Sequence, residues 1–392
     1  MLEGTTGAGG VLKLVRDGRA TTRNELAQQS GLSRSTLAER VQSLLALDLL
    51  EEATGVASTG GRPPATLTFN RSAGVVLVAA LNALSVRVAV CDLEANPLAE
   101  RTFGFDAGAE PAAVLSEIHA ELGLLLEGGG IAPSRARGIG VAVQAPVAIG
   151  RGEPVDARMM PRWDGFSIPR WFAAHTDAPV LVDSHVNVMA LGEHWTHWRD
   201  VDHVLFVTVG TTIECGIVSG RAVHRGAHGA AGDIGHIRLA GHDDVLCPCG
   251  NTGCLEAVAG GEALASNLSA AGLPARSVRD VLAHARAGEP VALQAIRGAG
   301  RAVGEVLAEC INFFNPGAIV VGGELAEAQQ QLLAGVREAA IGRSLPMATR
   351  DLRMGAAELG ARAAVIGTAV MVIEHVLAPE NVDRAVARQS RH

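Results

Sequence analysis

The chain has 392 residues, too many for one ordinary hydrophobic core and enough for two or three domains. Hydrophobic residues make up 48% and charged residues 19%, a balance that excludes a disordered chain. The net charge of −8 argues against nucleic-acid binding by the whole surface, but residues 1–72 hold eight Lys or Arg and seven Asp or Glu. The net charge of this head is therefore +1 and that of the remaining residues is −9. Contact with DNA then requires the cations of the head to lie on one face.

The N-terminus and the apolar windows predict a protein without secretion or membrane signals. The first ten residues, MLEGTTGAGG, contain neither the basic region nor the apolar core of a signal peptide. Windows 73–91 and 361–378 include charged or amide side chains, so they predict buried strands and a buried helix. We therefore expect a cytoplasmic protein without a membrane partner, in which thiols stay reduced.

The head has the pattern of three short helices followed by a wing. Residues 10–18 place apolar side chains at helical spacing, and Thr21 or Thr22 is a candidate N-cap of a second helix. Gly31 supplies a turn, after which a third helix begins; two helices joined in this way predict a helix-turn-helix that reads DNA. A three-helix bundle that packs against protein is the alternative. The residues predicted to face DNA are Ser33, Arg34, Ser35, Thr36, Glu39 and Arg40.

The segment GVASTGGRPPATLTFN follows the three helices. Its Gly61-Arg62-Pro63-Pro64 run is extended and cannot be helical. Arg62 at such a tip is placed to reach a phosphate or a minor groove, and a role as a linker is compatible with that contact.

From residue 74 the pattern becomes α/β and repeats. Residues 74–100 predict a strand, a turn and a second strand, and residues 202–223 repeat that order. A helix over 111–127 and a strand from residue 138 lie between them, and 357–377 predicts a closing helix. Two similar α/β halves would leave a cleft between them.

Three of the six cysteines lie in one short stretch, AGDIGHIRLAGHDDVLCPCGNTGCLE. Cys247, Cys249 and Cys254 have CxC-x4-C spacing, which lets three thiolates converge without a long loop. Structural zinc takes four nitrogen or sulfur ligands, and the spacing leaves either His236 or His242 as the fourth. Reduced thiols in an ordinary loop are the alternative.

These features together resemble the ROK family, which groups sugar-responsive repressors with sugar kinases. The resemblance is carried over nearly the whole chain by the helical head, the GRP run, GAAGDIGHI, CPCGNTGCLE and NPGAIVVGG, in that order. It implies an α/β, actin-like (RNase H-like) two-lobe domain preceded by a winged-helix DNA-binding domain. The implied units are a head of 1–72, a first lobe of 73–190 completed by a helix near 360–378, and a second lobe of 191–360 with a zinc loop at 236–254.

The resemblance also implies ligands for the cleft and the metal. It selects His236 as the fourth ligand of a closed, structural Zn²⁺ site. It implies sugar contacts from Asp233, where glutamate is usual, from His236 and from Glu256, to which we add His185 and Asn187 as candidates. The alternative is that Asp233 and Glu256 only brace the zinc loop and do not contact a sugar.

Three features that the kinase members need are altered here. The stretch LVDSHVNVMALGE has Ser184 and His185 where an Asn-Asp pair is expected; histidine can act as a base, so this change alone is not decisive. The phosphate turn Asp-x-Gly-x-Thr is replaced by ALNAL, with Ala80 at the place of the acid, and the glycine-rich turn contains Thr212 and Glu214. Together these losses predict a protein that is not an enzyme.

The sequence therefore predicts a transcriptional regulator of carbohydrate metabolism, a repressor, controlled by a sugar or sugar derivative in the inter-lobe cleft. The predicted partners are operator DNA and the sugar effector. The chain is also predicted to associate with itself, as a homodimer or a homotetramer. The alternatives are a regulator governed by a protein partner on the acidic body and a sugar kinase with a DNA-binding head.

Overall fold

The computed structural model describes residues 6–53, 66–82, 85–106, 108–156 and 160–389. The head contains three helices and an antiparallel pair of strands, in the order predicted from the sequence. These elements are α1 (Ala8–Arg16), α2 (Arg23–Ser30), α3 (Arg34–Ala46), β1 (Leu50–Ala53) and β2 (Thr66–Phe69). Arg62 and the extended run around it lie outside the described residues.

The ends of α2 and α3 are fixed by the residues that the sequence indicated. Thr22 accepts a hydrogen bond from the backbone N–H of Glu25, and the Glu25 carboxylate accepts from the Thr22 N–H, so that a capping box starts α2. Gly31 ends α2 in the left-handed region at φ 70°, where a side chain would be strained. Ser33 then caps α3 by accepting from the Thr36 N–H, so the turn between the helices is specified locally.

The first lobe is built on a five-stranded sheet with the strand order β5-β4-β3-β6-β9. Strand pairs β3–β4 and β4–β5 are antiparallel, whereas β3–β6 and β6–β9 are parallel. Its elements are β3 (Val75–Leu81), β4 (Ser85–Cys91), β5 (Pro97–Gly104), α4 (Pro111–Gly128), β6 (Ala136–Val143), β7 (Val147–Ala148), β8 (Glu153–Pro154), α5 (Ile168–Phe172), β9 (Val180–Ser184) and α6 (His185–His197).

The second lobe repeats this topology with the strand order β12-β11-β10-β13-β14. An antiparallel hairpin is again followed by two parallel neighbours, which confirms the predicted duplication. Its elements are β10 (His203–Val209), β11 (Ile213–Ser219), β12 (Ala222–Val223), α7 (Leu255–Ala259), α8 (Gly261–Ala270), α9 (Val278–Arg286), α10 (Pro290–Phe314), β13 (Ala318–Gly322), α11 (Gln329–Arg343), α12 (Pro346–Thr349) and β14 (Arg353–Ala356).

Two helices pack against each other between the lobes. Helix α6 lies against β10 and β11, and α13 (Arg362–Val376) lies against β3 and β6. Their backbones come so close that a Cβ on Gly367 would fall 1.7 Å from the Val188 carbonyl oxygen, and one on Gly192 would fall 2.2 Å from that of Ala363. The expected boundary between residues 190 and 191 falls within α6, so this helix belongs to the contact between the lobes.

The head shares its hydrophobic core with the body. Apolar side chains of α1, including Leu12, pack in one cluster with those of α13 and of a last helix, α14 (Pro379–Gln389). The Gly9 N–H at the start of α1 donates to Asp383 Oδ1 at 2.9 Å, and Arg16 Nη2 donates to Glu374 Oε1 at 2.8 Å. No single helix in the described part of the chain is long and apolar enough to span a membrane. Helices α13 and α14 together have the length and apolar composition of a span, but they are bent by 57° at their junction.

Candidate functional site

A cleft of about 570 Å³ lies between the two lobes. Both lobes contribute to its walls. The first lobe supplies residues after β6 and the start of α6, and the second supplies the β10–β11 turn, the 229–236 segment, the cysteine loop and the start of α7 and α8. The predicted ligand contacts that line the cleft are His185, Asp233, His236 and Glu256.

His185 is the first residue of α6 and borders the cleft from the first lobe. Burial lowers the pKa of its imidazole to about 4, so the ring is neutral at pH 7. Its Nδ1 is shielded from solvent and has no hydrogen-bond partner among the described residues. A neutral imidazole that borders a cleft can exchange a hydrogen bond with a ligand hydroxyl group, whereas a pKa near 4 makes it a weak general base at neutral pH.

Asn187 does not line the cleft. Its side chain is 2% exposed and its Nδ2 donates to Asp183 Oδ1 at 2.9 Å. The other oxygen of Asp183 accepts from Arg225 Nε at 2.7 Å, just after β12 of the second lobe. Asp183 is 3% exposed, so this ion pair is a fixed brace between the lobes, and sequence analysis missed both of its members. Asp183 directly precedes the altered Ser184-His185 pair, a position that could have drawn attention to it.

On the opposite wall three carboxylates lie near one another. Glu256 Oε2 accepts from the Ile213 N–H at 3.0 Å, which holds Glu256 beside the strand that carries Glu214. Burial, together with the charges of Glu256 and Asp233, raises the pKa of Glu214 to about 7. The second-lobe wall of the cleft is therefore strongly acidic, and ionisation of Glu214 is opposed by its surroundings.

The turn that corresponds to the kinase phosphate cradle already uses most of its backbone donors. The Thr211 N–H donates to Glu324 Oε2 at 2.9 Å, and the Gly210 N–H donates to the Thr212 carbonyl. With the Ile213 N–H bonded to Glu256, three of the four amides of residues 210–213 have partners, and two of these partners are carboxylates. Sequence analysis did not identify Glu324, which lies 113 residues further along the chain. A phosphate at this turn would have to displace one negative group and approach another.

The turn between β3 and β4 is closed in a similar manner. The Ser85 N–H donates to Asn82 Oδ1 at 2.9 Å, and the Asn82 N–H donates to the Ser85 carbonyl at 2.9 Å. Residues 83 and 84 lie outside the described residues. The asparagine side chain thus takes one amide that a phosphate turn would leave open.

Next to the cleft, four side chains form a cluster that could hold a metal ion: His236, Cys247, Cys249 and Cys254. Their ligand atoms all lie within 4.8 Å of one another, with Cys249 Sγ 3.6 Å from Cys254 Sγ and Cys247 Sγ 3.7 Å from His236 Nδ1. Tetrahedral zinc with Zn–S bonds of about 2.3 Å separates neighbouring ligand atoms by roughly 3.7 Å, so the donor set fits. The fourth member is His236, whereas His242 lines a second cavity beside α10.

The predicted DNA-facing residues follow the exposed side of α3 and its N-cap. Ser33, Arg34, Ser35 and Glu39 are exposed, and Thr36 and Arg40 are half-buried. The Ser33 and Thr36 side chains share a hydrogen bond of 2.9 Å, so both help to start the helix. Within the described residues neither Arg34 nor Arg40 forms an ion pair, so α3 carries two cations without an acidic partner in an otherwise nearly neutral head.

Comparison with known proteins gives one consistent result. The family model described as "ROK family" matches residues 85–375. A xylose repressor from Caldicellulosiruptor bescii is 25% identical over 383 residues, covering 94% of this chain and 95% of that protein.

Two solved structures, one of a regulator and one of a kinase, differ in the share of this chain that they match. A ROK family transcriptional regulator described as a homologue of the E. coli MLC protein matches with a TM-score of 0.84 and 25% identity, covering 98% of this chain and 99% of its own. A ROK hexokinase from Thermus thermophilus matches with a TM-score of 0.64 and 28% identity, covering 77% of this chain and 99% of its own.

Proposed function

This chain belongs to the ROK family, and on that premise we propose that it is a transcriptional repressor of carbohydrate-metabolism genes that releases its operator when a sugar or sugar derivative binds between the lobes. The observation that carries the proposal is coverage: the regulator structure matches 98% of the chain, whereas the hexokinase structure leaves about a quarter unmatched. The three-helix head, which begins 77 residues before the family match, accounts for part of that difference.

The sugar would be held by hydrogen bonds from both walls of the cleft. Asp233 and Glu256 accept from hydroxyl groups on one side, and the neutral ring of His185 faces them from the other. Asn187 acts indirectly, because it fixes Asp183 at the start of α6. A polyol that bridges the walls favours one arrangement of the lobes over the other, which is the requirement for a ligand to shift a conformational equilibrium.

We further propose that His236, Cys247, Cys249 and Cys254 hold a structural Zn²⁺. When bound, zinc supplies a closed four-ligand anchor and no open position for chemistry. His236 borders the cleft and Cys254 directly precedes α7, which carries Glu256. The site would therefore fix the wall on which the sugar rests.

The route from the cleft to the head runs through packed helices. Helix α6 begins at His185 in the cleft, and its later residues Leu191 and Trp195 join the core that the head shares with α13 and α14. Helix α1 rests on α14 through Asp383. Displacement of α6 by a ligand would thus be transmitted through tightly packed elements to the surface that positions α3.

Oligomerisation converts that displacement into a change in DNA affinity. Two heads of a homodimer or homotetramer must meet half-sites roughly 34 Å apart or a multiple of that distance, so a small change in head spacing is costly. A ligand that prefers the non-binding arrangement by about 3 kcal/mol would lower operator affinity roughly 100-fold. A cytoplasmic location accompanies this proposal.

Phosphotransfer is expected to be absent. Three amides of the 210–213 turn, those of Gly210, Thr211 and Ile213, are already bonded to a turn carbonyl, Glu324 and Glu256. The His185 ring, with a pKa near 4, is a poor base for a sugar hydroxyl. With ATP, Mg²⁺ and a panel of hexoses, pentoses and amino sugars, a coupled assay should detect no ADP release above the sugar-free rate. Sugar-dependent turnover would identify the chain as a kinase with a DNA-binding head.

The proposed function is tested by operator release. The full chain is used to select duplexes from a random pool, and its affinity for the enriched duplex is measured with and without each sugar of a broad panel. At least one sugar should weaken binding by roughly 100-fold, while the affinity for a scrambled duplex stays low throughout. Failure to enrich any duplex contradicts DNA binding, and a complex that is insensitive to every sugar contradicts sugar control and favours a protein partner.

A further inference from the structure

The charged residues that line the cleft are all acidic apart from its histidines. Five of the described residues that line it are acids, and no Lys or Arg is among the described lining residues. The two lining histidines do not offset this charge, because burial keeps His185 neutral and His236 belongs to the metal cluster. The nearby Arg225 is committed to Asp183. The lining acids are Asp156, Glu214, Asp233, Glu256 and Glu262.

Glu214 is one of the two half-buried acids in this set, the other being Glu256. It lies on β11 between the buried residues Ile213 and Cys215, and its carboxylate has neither a hydrogen bond nor an ion pair with any described residue. Burial and two neighbouring carboxylates disfavour its charged form, as its raised pKa shows. A half-buried carboxyl group that borders a cleft and has no partner among the described residues gains a charge-assisted hydrogen bond when a ligand supplies a donor.

The spacing of the acids distinguishes between kinds of cation. Among the described residues, the ligand atoms of the cysteine–histidine cluster all lie within 4.8 Å of one another, whereas those of Glu214, Asp233 and Glu256 do not. The three carboxylates are therefore spread more widely than the donors of a compact metal site. An ammonium group carried on a larger ligand has three N–H donors and can reach separate acceptors. A phosphate or carboxylate group on the ligand would instead meet like charges.

We propose that the effector of this chain is an amino sugar, a monosaccharide with a free, protonated amino group, and that Glu214 receives this group on the side of the cleft shared with Glu256 and Asp233. The inference rests on the proposed function, since it names the ligand class of the same cleft. The remaining hydroxyl groups bind Asp233, Glu256 and His185. An N-acetylated amine lacks the charge, and a sugar phosphate adds a charge of the wrong sign.

The inference is tested by calorimetric titration of the full chain with D-glucosamine, D-galactosamine and D-mannosamine. Each is compared with its parent hexose, its N-acetyl derivative and its 6-phosphate. One free amine should bind at least about tenfold more tightly than its parent hexose, which corresponds to about 1.4 kcal/mol. The same amine should be the most effective compound in releasing operator DNA.

Two substitutions at residue 214 separate charge from shape. Glu214→Gln keeps the volume and should lower amine affinity by at least tenfold while leaving affinity for the parent hexose within threefold. Glu214→Gly, which supplies a small residue of the kind expected at this turn, should likewise abolish the preference for the amine. The matched control Glu309→Gln removes the same charge from an exposed position on α10, outside the cleft, and should change amine affinity less than threefold. Unchanged melting temperatures verify folding.

The outcomes distinguish this inference from the proposed function. A parent hexose that binds as tightly as its amine and releases operator DNA overturns the inference and leaves the repressor standing. The inference is also overturned if Glu214→Gln binds the amine as tightly as the unaltered chain does. It is overturned as well if MgCl₂ or CaCl₂ displaces the amine in a saturable manner, because the acids would then be a metal site. Sugar-insensitive operator binding overturns the sugar-controlled function itself.

Discussion

Replacing Cys254 with serine is expected to release the metal and to lower effector affinity roughly 100-fold, a loss of about 2.7 kcal/mol. Cys254 is 1% exposed and is the N-cap residue of the helix that carries Glu256. Three remaining ligands bind zinc far less tightly than four, and without the anchor the loop that orients Glu256 and His236 is free to move. Serine is itself a favourable N-cap, so loss of helix capping does not explain the effect.

The matched control for this prediction is Cys310→Ser. Cys310 is half-buried in α10 and lies outside the metal-binding cluster, so the same atom exchange should leave zinc content and effector affinity unchanged. Metal is measured by mass spectrometry of the purified chain, with one zinc per chain expected for the control and less than about 0.1 for Cys254→Ser. A metal-free native chain that binds effector with full affinity would contradict the structural role.

Local features of the molecule could be predicted because local sequence specifies them. The capping residues Thr22 and Ser33 and the turn glycine Gly31 have the roles assigned to them, since caps and left-handed turns depend on a few neighbouring residues. The duplicated sheets followed from two similar strand–turn–strand patterns. The cysteine cluster followed from its tight spacing, with the choice of His236 over His242 contributed by the family resemblance.

Contacts between distant segments could not be predicted in this way. The Asp183–Arg225 brace joins residues 42 apart, Thr211 and Glu324 are 113 apart, and Gly9 and Asp383 are 374 apart. Periodicity and spacing describe one element at a time and do not identify the partner that folding brings beside it. Asn187 illustrates the consequence: its residue type suggested a ligand contact, but the neighbouring Asp183 occupies its amide.

The docking of the head on α14 is the least predictable feature with a consequence for function. Val382 and Val386 are four residues apart on one helical face, a pattern that indicates a helix but not what it packs against. Because their neighbours include apolar side chains of α1, the head cannot be treated as an independent domain on a flexible tether. The expected boundary near residue 72 thus separates head and body along the sequence, whereas the two share one continuous hydrophobic core.

The double substitution Arg34→Ala with Arg40→Ala is expected to lower affinity for the selected operator by roughly 100-fold or more. Both arginines lie on α3, outside any ion pair within the described residues, and a lost base or phosphate contact costs about 1–3 kcal/mol. The matched control, Arg279→Ala with Arg350→Ala, removes two exposed arginines from the body and should change operator affinity less than threefold.

Salt dependence and single substitutions determine what the arginines contact. If they neutralise phosphates, the double variant should lose about two units from the slope of log affinity against log salt; if they read bases, the slope is preserved and sequence preference relaxes. Arg40 Nε is buried and has no hydrogen-bond partner within the part of the chain that the structure describes, so removing this side chain is expected to perturb packing. Arg34 is exposed, and its single substitution should weaken binding at an unchanged melting temperature. Full operator affinity in the double variant would mean that a different surface of the head contacts DNA. Effector binding would then have to change the position of that other surface. It could do so through the same contact, because α1 of the head packs on α14 of the body.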